Sequence, residues 1–176
     1  MTFVHVSLVP VMGPVGEQKT KPTQHSVKEL RGLGITPDIL VCRSTKPMTD
    51  ETKEKLAAFC HVSPDAVMST HDVPNIYHVP LMLEKQGLCK ILGIDCNSTS
   101  MLEEWRAMAY DLDKLTEDVS IAMVGKYTDL SDAYLSVIKS LQHAAMKVRR
   151  KLSINWIEAS HLEDHWQSKN SDEYKS

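Results

Sequence analysis

The chain lacks any apolar run near the roughly 18 residues that a membrane-spanning helix requires, so no spanning segment is expected. It also lacks an excess of positive charge. Twenty Lys and Arg stand against 23 Asp and Glu, a net charge of −3. No global basic field draws in nucleic acid or an anionic membrane, and any anion site has to be local. The opening MTFVHVSLVPVMG is apolar but has neither a basic leader nor a small-residue cleavage site. No signal peptide is expected, and a cytoplasmic location is. Cys42, Cys60, Cys89 and Cys96 show no C-x-x-C spacing and read as reduced, mostly buried thiols. No cysteine sits on a glycine-flanked elbow after a strand, so no catalytic residue is assigned. None of the eight histidines pairs with a cysteine or carboxylate at metal-binding spacing, so no metal ligand is assigned either. A G-x-x-x-x-G-K-[ST] run is missing, which excludes a Walker-type loop within the chain. Asn97-Ser98-Thr99 matches a glycosylation acceptor, a match of little weight without a secretory signal. There is no internal repeat.

What is present is an ordinary globular composition over 176 residues, 42% apolar and 24% charged. Residues 4–11 read as a β-branched strand ended by Met12-Gly13-Pro14. After the loop at 13–21, Pro22 suits the first position of a helix that carries Val27, Leu30 and Leu33 and ends at Gly32 and Gly34. Residues 39–42 form a buried-type strand. Asp50 can cap a helix through about Cys60, residues 66–69 are a weak strand, and 79–87 a helix. Strands alternating with helices argue for a parallel α/β sheet. In such sheets ligands bind beyond the carboxyl ends of the strands, which is where the loop at 13–21 lies.

The texture changes after Gly87. Residues 88–118 read as a linker with one amphipathic helix over 101–115. A second unit follows, with a strand at 119–124, a turn at Gly125-Lys126-Tyr127-Thr128, a long helix at 131–150, a strand at 152–157 and a polar tail from His161. One helix over two strands buries little apolar surface. The chain is expected to be a middle piece of something larger, or to be completed by a partner.

The stretch GEQKTKPTQHSVKEL carries the chemistry. Lys19 and Lys21 are two apart, so in an extended segment both ammonium groups can project to one side. Thr20 and Thr23 add hydroxyls and Gln24 an amide. The amides and dipole of the following helix turn point to the same place. This is the chemistry of a phosphate site, and solvated loop charges are the alternative. From spacing alone Lys55 is a surface lysine and His71-Asp72-Val73 a plain turn.

The string HVSLVPVMGPVGEQKTKPTQHSVKELRGLGITPDILVCRS, with KEKLAAFC, HDVPNIYHVPLML, EEW and VGKYTDLSDAYLSVIKSL, resembles CTP synthase, the glutamine-dependent amidoligase. The resemblance runs to about Leu162; LSDAYLSVIKSLQHA and WIEASHLE resemble plant-type members. It implies a portion of a dethiobiotin-synthetase-like, P-loop-like synthetase domain over 1–87, a linker over 88–118, and the first βαβ of a class I glutamine amidotransferase domain over 119–176. In that family ATP phosphorylates O4 of UTP, and ammonia from glutamine displaces the phosphate to give CTP. The resemblance implies that Lys19, Thr20, Lys21, Pro22, Thr23, Gln24 and Lys55 bind the triphosphate of UTP or of inhibitory CTP. It places His71, Asp72 and Val73 against ATP. It further implies Mg²⁺ entering with ATP, a homotetramer, and no nucleic-acid or membrane partner. The family's P-loop and acidic Mg²⁺ ligands would lie upstream of Met1 and its glutaminase centre downstream of Ser176. This chain would then hold a binding edge and neither catalytic centre. A non-catalytic subunit that joins full-length enzyme, or a UTP/CTP sensor, are the other readings.

Overall fold

The computed structural model describes residues 1–94 and 100–162. Cys96, the Asn97-Ser98-Thr99 match and the tail beyond Leu162 lie outside them. The chain divides into two compact units, Met1–Ala109 and Tyr110–Ser176.

The first unit is built on a three-stranded parallel sheet in the order β1 (Val4–Leu8), β4 (Ile39–Ser44), β5 (Val67–His71). Val6 pairs with Val41, and Val41 with Met68. Five of the six residues of β4 are buried, as a central parallel strand requires. The crossovers are α1 (Lys21–Gly32) and α2 (Asp50–Cys60). Their inward side chains Val27, Leu56 and Ala57 pack with Leu40, Cys42 and Val67 of the sheet. On the opposite face Ile39, Val41 and Met68 meet Leu83 of α3 (His78–Lys85) and Leu88 and Leu92 of α4 (Leu88–Leu92). This is the expected α/β architecture with helices on both faces.

The local chemistry explains the element ends. Pro22 lies in the first turn of α1, where its missing N–H costs nothing. The cap of α2 is Thr49 rather than Asp50: the Thr49 Oγ1 accepts from the Thr52 N–H at 3.2 Å, and Asp50 and Glu51 sit in the first turn. Short α4 was not expected. It lies between Gly87 and Gly93, both in the left-handed region. Residues 13–21 are not an open loop either. β2 (Val11–Met12) pairs antiparallel with β3 (Glu17–Gln18), closed by a turn in which the Gly16 N–H donates to the Gly13 carbonyl. Gly13 and Gly16 have φ of 74° and 73°, which glycine adopts without strain.

The free edge of β5 is closed by one side chain. Gln86 accepts from the Ser69 N–H at 2.8 Å and donates to the Ser69 carbonyl at 2.8 Å, as a neighbouring strand would. Gln86→Leu removes both partners from a buried backbone position. The expected loss is about 1–3 kcal/mol, read as a lower urea midpoint at unchanged m-value.

Cys42 and Cys60 are buried and free. Cys89 is disulfide-bonded, against the expectation of four reduced thiols, and no C-x-x-C spacing signalled it. Burial first, and the neighbouring Cys60 second, push the Cys42 thiol from 9.0 up to about 12, with Lys53 opposing. The unfolded chain would ionise this thiol near its ordinary value. Its stabilising contribution is therefore complete below about pH 9 and lost as pH rises towards about 12. Urea midpoints are expected to fall steadily between pH 8.5 and pH 11, and Cys42→Ala to flatten that slope.

The second unit contains β6 (Asp118–Gly125) and β7 (Lys151–Glu158), paired in parallel with Ile121 opposite Ile154. The connecting segment opens as a 3-10 turn over Ser131–Tyr134 and becomes α6 over Leu135–Lys147, shorter than the expected 131–150. Among the described residues of this unit only Ala145 is buried, while Val124, Leu135 and Val137 are about half exposed. α5 (Ser100–Asp113) spans the division between the units. Its first half packs within the first unit, where the Trp105 indole donates to the Tyr77 carbonyl at 2.8 Å and Arg106 pairs with Glu84 at 3.0 Å.

Candidate functional site

The three strands of the β1-β4-β5 sheet run the same way, so the loops that follow them meet at one edge of that sheet. The β2–β3 hairpin is fastened there by Gln18. Its amide donates to the Pro47 carbonyl at 2.8 Å and accepts from the Thr49 N–H at 3.1 Å. The Lys19 N–H donates to the Pro10 carbonyl at 2.8 Å. This anchored turn delivers the chain to Thr20, where α1 begins.

Within the KTKPTQ stretch the side chains divide by role. The Thr23 hydroxyl is fully buried. It donates to the Leu8 carbonyl at 3.2 Å and lies 2.9 Å from the Ser7 hydroxyl. Thr20 is buried as well, and its hydroxyl accepts from the Gln24 side-chain amide at 3.1 Å. Thr23 therefore holds α1 against β1, Thr20 bonds within the helix start, and neither offers a free hydroxyl. What faces outward is cationic. Lys21 is exposed, and Lys19 pairs with Glu17 at 2.6 Å. Gln24 donates its N–H to the Thr20 carbonyl, Pro22 has none, and the amides of Lys21 and Thr23 have no intrahelical acceptor.

Glu17 reports on who else is near. Its carboxyl is held below the ordinary range by the Lys19 hydrogen bond, then by the Lys19 charge, with a smaller contribution from the Lys55 charge. The structure thus places Lys55, from α2, in the field of the same carboxylate as Lys19. Lys46 belongs to this neighbourhood too, with its Nζ 3.4 Å from where a Cβ on Gly16 would stand. Several cations around one carboxylate and a helix N-terminus form a surface for a polyanion. Sequence reading missed Glu17. Its signal was the Glu-x-Lys spacing in GEQK, which puts both side chains on one side of an extended segment.

His71 ends β5 and Asp72 and Val73 follow it, two strands away from the end of β1, or roughly 10 Å at the usual strand spacing. Asp72 lies 3.9 Å from Arg43 across the strand ends, an exposed and weak pair. The His71 Nδ1 and the Oγ of Ser44, its neighbour in register, are buried without a hydrogen-bond partner among the described residues. Buried polar atoms in that state are met by a water or a ligand atom in most proteins. No group of three or more His, Cys, Asp or Glu that could hold a metal ion exists among the described residues. No described helix is long and apolar enough to cross a membrane.

This edge can be compared with known proteins. A protein-family model described as CTP synthase N-terminus matches residues 1–98. The chain belongs to the CTP synthase family. It is 50% identical over 192 residues to the CTP synthase of Dictyostelium discoideum, covering 98% of this chain and 33% of that protein. It is 51% identical over 166 residues to CTP synthase 1 of Homo sapiens, covering 91% of this chain and 28% of that protein. The CTP synthase of the bacterium Moorella thermoacetica is 49% identical over 165 residues, covering 92% and 30%. The chain spans about a third of the length of the curated relatives it matches. The α/β sheet of the first unit is consistent with the N-terminal region of a CTP synthase.

Proposed function

We propose that this chain is part of a CTP synthase, the ligase that aminates UTP to CTP with ATP and ammonia from glutamine. Within it the chain supplies the edge that holds the triphosphate of UTP, or of CTP as inhibitor. Lys19, Lys21 and Lys55 supply the charge. Thr20, Pro22, Thr23 and Gln24 shape the helix start that presents the backbone amides. His71, Asp72 and Val73 stand on the ATP side of the same edge. The observation that carries this reading is the placement of Lys19 and exposed Lys21 beside the N-terminus of α1.

The intact enzyme of this reading is a cytoplasmic, plant-type homotetramer in which Mg²⁺ arrives with ATP. Residues 1–87 belong to its synthetase domain, 88–118 to a linker and 119–176 to the start of the amidotransferase domain. Both catalytic centres lie outside this chain. Calorimetric titration of the chain with UTP and with CTP tests the binding role. One site for each is expected, with heat that shrinks as salt rises. No heat with either triphosphate at millimolar concentration overturns the reading. CTP formation by the isolated chain from UTP, ATP and ammonia would overturn the placement of the catalytic centres.

A further inference from the structure

Glu17 and Lys19 pair on one side of the extended segment that ends the hairpin. Gln18 stands between them and points to the other side. Its side-chain amide donates to the Pro47 carbonyl at 2.8 Å and accepts from the Thr49 N–H at 3.1 Å. Thr49 is the cap of α2. Its hydroxyl accepts from the Thr52 N–H at 3.2 Å, and its carbonyl accepts from the Lys53 N–H at 3.0 Å. Thr20, just beyond Gln18 in the chain, is the cap of α1. One glutamine side chain therefore ties together the starts of both crossover helices. Those starts are not equivalent. α2 has a side-chain cap and carries Asp50 and Glu51 in its first turn, whereas α1 has no side-chain cap bond and no acidic residue there. An anion is drawn to α1 and not to α2, and α2 acts as the mount for Lys55. The charges of the site thus come from two crossovers, and neither helix alone fixes the distance between them.

We propose that Gln18 is a positioning residue of the triphosphate site: by tying the cap of α2 to the hairpin that leads into Lys19, it sets how far Lys55 stands from Lys19 and Lys21. The inference rests on the triphosphate reading and adds to it a residue that the ligand does not touch. A triphosphate has a limited span, so cations on two separate elements act together only when their spacing matches it. The tie exists before any ligand arrives, and that preorganisation removes an ordering cost from binding. Loss of the tie leaves all three lysines in place but free to drift apart.

The test is calorimetric titration with UTP of the parent chain, Gln18→Met, Lys55→Ala and the double variant. Methionine matches the length of glutamine and makes neither bond. Gln18→Met is expected to weaken UTP binding roughly 10-fold, the usual scale for a residue that orients binding groups from behind. In the Lys55→Ala background the same substitution is expected to change affinity by less than about twofold, because the cation it places is gone and the two effects are coupled. A merely structural role lowers affinity equally in both backgrounds, and that result overturns the proposal. So does a Gln18→Met variant that binds UTP as tightly as the parent. A parent that binds no UTP overturns the triphosphate reading itself, and this inference falls with it. Where circular dichroism shows Gln18→Met unfolded, hydrogen exchange of the parent decides. The Thr49 amide is expected to be protected in the free chain as well as with UTP. Protection that arises only when UTP binds means that the ligand makes the tie, and the proposal fails.

Discussion

Replacing Lys19 and Lys21 together with alanine is expected to weaken UTP binding by at least about 100-fold. A hydrogen bond to a charged group contributes about 1.5–3 kcal/mol, and each tenfold in affinity is about 1.4 kcal/mol. Two such contacts to a triphosphate therefore account for two orders of magnitude or more. The fold should survive the change. Lys21 is exposed, and the Lys19 side chain is 42% exposed and paired with another surface side chain, Glu17. The helix start is held instead by Thr20 and Thr23, which the variant leaves in place. Calorimetry with UTP at fixed salt, with circular dichroism as the folding control, is the measurement. Glu17→Gln provides the opposite sign. It frees Lys19 from a competing carboxylate and removes a negative charge from beside the ligand, so affinity should rise. A double alanine variant that binds UTP as tightly as the parent would place the triphosphate elsewhere.

Much of this edge was legible in the sequence, and the reason is periodicity. Val4 to Leu8, Ile39 to Ser44 and the helices between them show patterns long enough to identify a parallel sheet, and the sheet locates its own ligand edge. What stayed hidden has short range or long reach. β2 and β3 are two residues each, and α4 is five, below the length at which any period can be seen. Asp50 looked like a cap because aspartate is a good one. The hydroxyl one residue earlier took the position, and Asp50 serves the first turn. Thr20 and Thr23 looked like ligand hydroxyls because nothing local reveals which way a helix start faces the sheet. The structure turns both inward. Lys55 is 36 positions beyond Lys19, and only the crossover through β4 returns it to Glu17. Family resemblance, not spacing, singled it out beforehand, and the same holds for His71 with its unpaired Nδ1.

Leu40→Ala is expected to be the most damaging single change in the first unit. Leu40 is fully buried as the second residue of the central strand, with His5 on one side and Val67 on the other in register. Its side chain belongs to the same core as Val27 and Leu56, so it joins the sheet to both crossover helices. Truncation removes apolar burial and leaves a cavity that two helices and a three-stranded sheet cannot easily close. The cost at such sites is about 3–5 kcal/mol. Domains of this size are held by about 5–15 kcal/mol, and a unit that leaves the apolar face of β1 uncovered belongs at the lower end. The melting temperature should fall by more than about 12 °C, at roughly 4–8 °C per kcal/mol for a unit of this length. UTP binding should vanish with the fold rather than through any lost contact, since Leu40 lies near the start of β4, at the opposite end from the ligand edge. Val6→Ala is the matched control: same sheet, the neighbouring strand, 69% exposed, and an expected change within about 0.5 kcal/mol. Comparable effects from the two substitutions would mean that β4 is not the central strand, and the shared ligand edge would have to be abandoned with it.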